Sequence, residues 1–381
     1  MALQKQSHKP DLLFVINDFE FFKTHRSRLI TFLVTEGFLI TVASNLKDSS
    51  DEEIKIYKEK GISFIDFRFH RSSINPLRNL VDFTRLFLIF MRLKPKKLFL
   101  VSSKPIIFGG ISALLLGLKD IFFSISGLGY VFINEGKKNL LVKKIILGFY
   151  RVIFGNPSSK VIFQNEDDRK LLLDLGVLSF DKTILIRGNG IDTEKFKRIK
   201  SKEERIGFLF ASRLLIDKGV EEFLEASKNI DNKLAKFVIA GEIDPLNPNS
   251  LKTSELEEYK KDKRFIFLGK VDHEQMISVF NDCKVFVLPS YREGLPQVAL
   301  EAASCEMPLI LNDVAGCRDC LLDKKTGFLV EKNNIEQLTE KMNYFLKNPE
   351  EVLKKGKASR QFVLDNFSKQ IIFPQYLKLF L

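Results

Sequence analysis

Four residues have the types and spacing from which chemistry can be built: Arg213, Lys218, Glu293 and Glu301. Glu293 stands in the polar loop Ser290-Tyr-Arg-Glu-Gly-Leu-Pro296, which follows an apolar run, Val285 to Leu288, closed by Pro289. The run reads as a buried parallel strand, and from Val298 onward the chain is helix-compatible. Strand, loop and helix N-terminus in that order make an anion site. The first amides of such a helix lack an intrahelical partner and share the positive end of its dipole. Phosphate repels a carboxylate, so Glu301 suits another task there, accepting hydrogen bonds from vicinal hydroxyls such as those of a ribose. Arg213 and Lys218 lie in Ala211-Ser-Arg-Leu-Leu-Ile-Asp-Lys-Gly219, directly after the apolar run 206–210. They therefore belong at the carboxyl end of a strand, where doubly wound sheets bind ligands and where both could reach a diphosphate. Two cations, helix amides and a ribose acceptor together would hold a nucleoside diphosphate.

The elements that must position these residues alternate regularly. Residues 11–16, 38–43, 62–67, 98–101, 121–125, 161–163 and 183–186 read as strands, with helices at 24–36, 75–93, 105–118 and 139–154 between them. A second series has strands at 206–210, 237–240, 265–268, 285–288 and 309–311, and helices at 220–229, 274–281, 335–346 and 350–364. Such alternation means parallel sheets with right-handed crossovers. A Gly-Asn-Gly turn and the charged stretch 195–205 suit a linker. The expected fold class is therefore α/β: two Rossmann-like doubly wound domains facing across a cleft. The first would span 1–187 and the second 188–364. Residues 365–381 are a tail that can pack back on the first domain.

Composition narrows the function classes. The net charge is +12, and residues 1–185 hold 28 Lys+Arg against 18 Asp+Glu, so the excess lies in the first half. That half faces something anionic or tolerates being near it. No nucleic-acid motif occurs, and 36 Phe with no Trp suit core filling better than base stacking. No run reaches the roughly 18 to 20 apolar residues of a membrane-spanning helix. The best, 98–118, is broken at Lys104-Pro105. The start shows no secretory signal pattern, and cysteines 283, 305, 317 and 320, including the Cys317-x-x-Cys320 pair, lack zinc spacing and read as plain thiols in a reducing cytosol. His8, His25, His70 and His273 have no metal spacing either. Arg78, Arg85 and Arg92 recur every seven residues, and Lys143, Lys144 and Arg151 cluster on a later helix. These are either the solvated faces of ordinary core helices or a surface for an anionic bilayer.

With these residues in place the chain resembles the retaining glycosyltransferases of family 4, which have the GT-B fold, and is most similar to their capsule and O-antigen branch. The matching stretches are Ser126-Gly-Leu-Gly-Tyr-Val-Phe132, Val161-Ile-Phe-Gln-Asn165, Gly188-Asn-Gly-Ile-Asp192, Arg213 to Gly219, Leu268-Gly269 and Leu288 to Ala302 with its Glu293-x7-Glu301. The resemblance implies that Arg213 and Lys218 neutralise the donor diphosphate and that Glu301 holds the ribose. It places Glu293 beside the donor sugar with the amides of Gly294 and Leu295. It also makes 1–187 the acceptor-binding domain and 188–364 the donor-binding domain, and puts Asn17, His25, Lys104, Ser126 and Gly127 on the acceptor side. It further implies transfer of a sugar, an N-acetylhexosamine or a relative, from a UDP-sugar to a polyprenyl-diphosphate-linked acceptor, peripherally on the cytosolic face of the inner membrane. No cofactor is expected. No Asp-x-Asp metal motif occurs, and fixed cations make a metal unnecessary.

Three departures stand out: Asn17 to Arg26 where relatives carry a Gly-rich turn, Ser126 where many have His, and Glu306 where Gly is usual. A sugar-nucleotide epimerase or phosphorylase of the same fold, or a non-catalytic membrane-associated scaffold, are the competing readings. An epimerase lacks the Glu-x7-Glu arrangement and a phosphorylase needs a phosphate or pyridoxal site. A scaffold has no reason to keep all four charged residues.

Overall fold

The computed structural model describes residues 9–47, 49–68, 75–129, 132, 137–199, 201, 205–245, 247 and 249–381. The chain separates into two compact units, one running to Asn189 and taking in Phe373–Leu381, the other spanning Gly190–Ile372. Among the described residues, the first unit's apolar runs form a seven-stranded parallel sheet. Its strands are β1 (Leu12–Asp18), β2 (Ile40–Asn45), β3 (Ile62–Asp66), β4 (Lys97–Val101), β5 (Ile121–Ile125), β6 (Ser159–Phe163) and β7 (Thr183–Leu185), in the order β3-β2-β1-β4-β5-β6-β7. The chain moves outward from β1 through β3 and then crosses back to β4. β1 and β4 therefore flank the point where strand order reverses, the ligand position of doubly wound sheets.

These strands are apolar on both faces because helices cover both. Leu13, Val15, Leu98, Leu100 and Phe123 share a core with the helices Pro76–Leu93, Ser103–Leu115 and Lys137–Phe154. The intervening Phe14, Phe99 and Phe122 meet Phe380, with ring centroids 6.3, 5.7 and 5.3 Å away. Residues 369–380, expected as part of a tail, are thus a helix, Lys369–Phe380, that buries Phe373, Tyr376 and Phe380. Pro374 inside it hides the helical pattern from a sequence reading.

On the same face lies Arg26, which closes a π-helical turn, Phe22–Arg26, and is 0% exposed. Its guanidinium donates to Ser124 Oγ at 2.8 Å and to the Tyr376 hydroxyl at 3.2 Å, and sits 5.4 Å from the centroid of the Phe99 ring. The Tyr376 hydroxyl in turn donates to the Gly188 carbonyl, 3.2 Å away. This network fastens the C-terminal helix to the first unit.

The second unit repeats the plan with six parallel strands in the order β10-β9-β8-β11-β12-β13. They are β8 (Ile206–Ala211), β9 (Phe237–Ala240), β10 (Phe265–Gly269), β11 (Cys283–Leu288), β12 (Leu309–Asn312) and β13 (Gly327–Val330). Here the order reverses between β8 and β11, the strands that precede the predicted cations and the predicted carboxylates. Two doubly wound parallel sheets are what the strand and helix alternation predicts.

Several elements lie outside the sequence expectation. Strand β13 is only four residues long. The helices Asp51–Glu59, Glu166–Asp174 and Thr253–Tyr259 are short and mostly charged, so their apolar period is faint. Their caps were the available signal: Ser50 and Glu53 form a reciprocal capping box, and Asn165 accepts from the Asp168 amide at 2.7 Å. No helix among the described residues is long and apolar enough to cross a membrane.

Replacing Tyr376 by Phe leaves a buried guanidinium N–H and the Gly188 carbonyl without this partner. The expected loss is about 1–3 kcal/mol of protection in the first unit. Hydrogen exchange should show it around Arg26 and β5, with the strands of the second unit unchanged.

Candidate functional site

β8 and β11 are neighbours in parallel register, Val285 opposite Phe208 and Phe286 opposite Leu209. Their following loops therefore leave the same carboxyl edge. The β8 loop turns through a short 3-10 segment, Ile216–Lys218, into Gly219 at φ +77°, which opens the helix Val220–Lys228. A Cβ on Gly219 would overlap the Pro289 carbonyl at the end of β11, so only glycine allows this approach. The Tyr291 amide donates to the Asp217 carbonyl at 2.9 Å and clips one loop to the other.

The far side of the Glu293 loop is held as firmly. Asn312 at the end of β12 donates to the carbonyls of Pro289 and Ser290 at 2.8 and 3.2 Å. The Glu293 amide donates to Ala315 at 3.0 Å, and Gly316, at φ +79°, lies where a Cβ would strike the Glu293 carbonyl. Between these fixed loops Lys218 Nζ meets Glu293 Oε1 at 2.6 Å, with side chains 19% and 14% exposed. Gly294 is buried and Leu295 half-buried, just ahead of Pro296, which caps the helix Gln297–Ser304.

Glu301 is buried one turn into that helix, at 3% exposure. Its Oε1 accepts from Gln297 Nε2 at 2.7 Å and lies 2.8 Å from His273 Nε2. A carboxylate only accepts, so the imidazole proton belongs on Nε2. His273 comes from the carboxyl side of β10, with its ring 5.3 Å from that of Phe196. The sequence reading gave His273 no role. The one signal for it was its place after a strand of the same sheet.

Arg213 is half-exposed and pairs with Asp244, beyond the end of β9, at 3.5 Å. The structure thus unites Lys218 with Glu293 and Glu301 with His273, and gives Arg213 a carboxylate of its own. An anion approaching Lys218 must compete with Glu293 for the ammonium. Arg213, on the solvent side, is free to turn toward one.

The residues expected on the acceptor side lie on or after β1, β4 and β5, three adjacent strands of the first sheet. Asn17 lies in the last part of β1, Lys104 opens the helix after β4, and Ser126 and Gly127 follow β5 directly. Lys104 Nζ donates to Asn79 at 3.0 Å; burial lowers its pKa, against an opposing pull from Asp82. Just ahead of it Ser102 sits at φ +75°, a strained conformation for a residue with a Cβ, placed at the sheet's switch point. His25 stacks on Phe21 with centroids 4.4 Å apart, and its Nδ1 is 2.6 Å from Thr24 Oγ1.

Glu306 adopts φ +58°, the left-handed conformation that favours glycine, and its carboxylate holds Arg198 at 3.1 Å. The side chain thus serves an ion pair away from the loops of the site. All four thiols are buried, and burial pushes Cys283 and Cys305 up to about 12.

Two family models match successive parts of the chain. The family model for glycosyl transferases group 1 matches residues 191–362, and that for glycosyl transferase 4-like proteins matches residues 11–165. A Campylobacter jejuni protein, N,N'-diacetylbacillosaminyl-diphospho-undecaprenol alpha-1,3-N-acetylgalactosaminyltransferase, is 28% identical over 90% of this chain and 94% of its own. An Escherichia coli UDP-Gal:alpha-D-GlcNAc-diphosphoundecaprenol alpha-1,3-galactosyltransferase is 28% identical over 67% and 68%. Among solved structures, sucrose-phosphate synthase from Thermosynechococcus elongatus superposes with a TM-score of 0.78 at 18% identity, covering 97% of this chain and 98% of that one. Anabaena HepE in complex with UDP and glucose gives 0.75 at 14% identity, with the same coverage. These last two show the fold, GT-B.

The contact between the two loops can be tested through its glycine. Gly219→Ala is expected to destabilise the second unit by more than the roughly 1–2 kcal/mol that a left-handed conformation imposes on a residue with a Cβ, because the Pro289 carbonyl must also move. Gly269→Ala serves as the control, since Gly269 has φ +67° but open space around it and should show the conformational term alone. Denaturant midpoints of the two variants make the comparison, and equal losses would mean that the loops do not press on one another.

Proposed function

The chain belongs to the glycosyltransferases, with a group 1 domain behind a 4-like one, and from that premise we propose that it moves a sugar from a UDP-sugar to a polyprenyl-diphosphate-linked acceptor. The sugar is an N-acetylhexosamine or a close relative, the anomeric configuration is retained, and the pathway builds a surface polysaccharide of the capsule or O-antigen kind. The observation that carries the reading is the Lys218–Glu293 contact between the β8 and β11 loops, with Glu301 anchored one helical turn away. The acceptor and donor classes are supported by the Campylobacter and Escherichia relatives, whose names specify diphospho-undecaprenol acceptors and, for the second, UDP-galactose.

Each residue has a distinct task. Lys218 and Arg213 take the diphosphate, each giving up part of its carboxylate contact as the phosphate charge arrives. Glu301 accepts from the ribose hydroxyls, and His273 and Gln297 are positioning residues that hold its carboxylate in one orientation. Glu293 and the amides of Gly294 and Leu295 face the sugar. As the C1–O bond to the phosphate stretches, negative charge grows on the leaving diphosphate, where fixed cations and helix amides stabilise it most. The acceptor hydroxyl attacks C1 from the same face, and its proton passes to the departing phosphate oxygen. A new C1–O bond replaces the old one, and UDP leaves with the proton.

The two cations supply the countercharge that a divalent ion provides in other sugar transferases, so the reaction runs without a metal. Because the acceptor is held by its lipid, the enzyme works as a peripheral protein at a membrane surface, the cytosolic face of the inner membrane.

Release of UDP from candidate UDP-sugars, dependent on an acceptor lipid, is the direct test. UDP-sugar turnover without any acceptor would favour an epimerase, and no turnover with any donor would favour a scaffold. In the active protein Arg213→Ala and Lys218→Ala should each lower kcat by about tenfold or more while KM changes less, since the charge they meet grows toward the transition state; an effect confined to KM would remove both from the leaving-group role. Glu301→Ala should weaken UDP binding by roughly ten- to a hundredfold, the worth of one charged hydrogen bond of about 1.5–3 kcal/mol. Activity should survive EDTA. Its loss, with recovery on adding Mg²⁺ or Mn²⁺, would overturn the metal-free reading.

A further inference from the structure

The helix Lys137–Phe154 buries Leu147, Tyr150, Ile153 and Phe154 against its sheet. Its opposite side is apolar as well. Leu141, Ile145, Phe149 and Val152 recur at helical spacing and are 62%, 51%, 40% and 62% exposed. Lys144 and Arg151 run beside this strip, and residues 137–154 contain no Asp or Glu. The helix Pro76–Leu93 has the same three-part surface. Leu86, Ile89 and Phe90 are buried, while Leu77, Leu80, Val81, Leu88 and Met91 are exposed, Leu77 to 74%. Arg78, Arg85 and Arg92 flank the outer strip, and Asp82, its single acid, is fully buried. The helix Ser103–Leu115 packs between these two, so both strips lie on one side of one sheet.

We propose that these two outer faces form a surface that inserts shallowly into an anionic lipid bilayer. The commitment to lipid rests on the acceptor class proposed above and on the pattern itself. A helix whose solvent side is cationic alone would bind any polyanion, whereas apolar strips flanked by cations fit headgroups above and acyl chains below. Among the described residues Arg78, Arg85, Arg92 and Lys144 make no ion pair, so their charges remain available to lipid phosphate. Arg151 is committed differently, donating to the Leu175 carbonyl at 2.8 Å, and anchors the helix end. A second copy of this chain is disfavoured as the occupant, because it would bring cation against cation.

Insertion and electrostatic attraction separate by salt. Attraction fades as the Debye length falls to about 3 Å near 1 M salt, while apolar burial does not. Flotation of the full chain with vesicles of phosphatidylcholine, with and without phosphatidylglycerol, reads both. The wild type should float with the anionic vesicles at low salt and keep a measurable part of that binding at high salt. Ile145→Ser/Phe149→Ser/Val152→Ser should lower the salt-resistant partition by about a hundredfold, the order expected for three side chains that lose partial burial. Arg85→Glu/Lys144→Glu should lose the low-salt enhancement and retain the salt-resistant part. Both variants replace exposed residues, so UDP binding and thermal unfolding should match the wild type. Equal flotation of the serine variant and wild type at high salt would overturn the proposal. So would a wild-type dimer in sedimentation that the serine variant lacks, which would assign the face to a second copy. The vesicle assay contains no donor or acceptor, so its outcome does not depend on the transfer reading. UDP release with a water-soluble acceptor analogue tests that reading alone.

Discussion

An ammonium and a carboxylate 2.6 Å apart and mostly withdrawn from water tolerate little misplacement. Breaking such a pair from one side leaves a charge in poor solvent, which in buried examples costs about 3–5 kcal/mol. Lys218 and Glu293 come from loops separated by a long stretch of chain, so everything that joins those loops serves this contact. Adjacent pairing of β8 and β11 brings them to one edge. Gly219 lets them touch, Asn312 and Ala315 brace the far side, and the Tyr291 amide spans the near one. The same precision suits the proposed exchange of an internal carboxylate for a phosphate, because a preorganised cation needs no rearrangement when charge develops.

The two units share a sheet plan but are furnished differently at their switch points. In the second, charges are matched: Arg213 with Asp244, Lys218 with Glu293, and His273 against Glu301. In the first, the corresponding edge has Ser102 strained at φ +75°, Lys104 partly desolvated beside Asn79, Lys23 paired with Glu20 and Glu53, and Arg26 sealed beneath against the Ser124 and Tyr376 hydroxyls and the Phe99 ring. The net charge follows the same division, with the excess of cations in the first half. Matched charges suit a unit that takes and releases a small anionic donor. A net cationic excess suits one that stays near an anionic surface.

How much of this could be read in advance depends on how far each signal reaches along the chain. Long apolar runs bounded by Gly or Pro announced nearly every strand, and the loops after two of them announced Arg213, Lys218, Glu293 and Glu301. Helices such as Asp51–Glu59 were missed because one buried residue, Ile54, leaves no apolar period to detect. The helix at Lys369–Phe380 was hidden by Pro374. His273 was invisible for another reason: its partner is Glu301, twenty-eight residues away, and only sheet order brings the ends of β10 and β11 to the same edge. Glu306 looked anomalous in place of glycine until its backbone proved to be left-handed and its carboxylate proved to bind Arg198.

The outer faces of Pro76–Leu93 and Lys137–Phe154 show the limit most clearly. In sequence, a helix apolar on two sides and a helix apolar on one broad side look alike, because periodicity reports that a face exists and not what covers it. Which side the sheet covers is fixed by the crossovers that place these helices on the β4–β5–β6 side. Only then do Leu141, Ile145, Phe149 and Val152 emerge as an outward-facing strip, 40% to 62% exposed. Left bare, exposed apolar strips of this kind invite self-association. The flanking Arg78, Arg85, Arg92 and Lys144 oppose that by mutual repulsion in water. The same charges become attractive at an anionic leaflet, so one arrangement of side chains keeps the protein dispersed away from lipid and attached beside it.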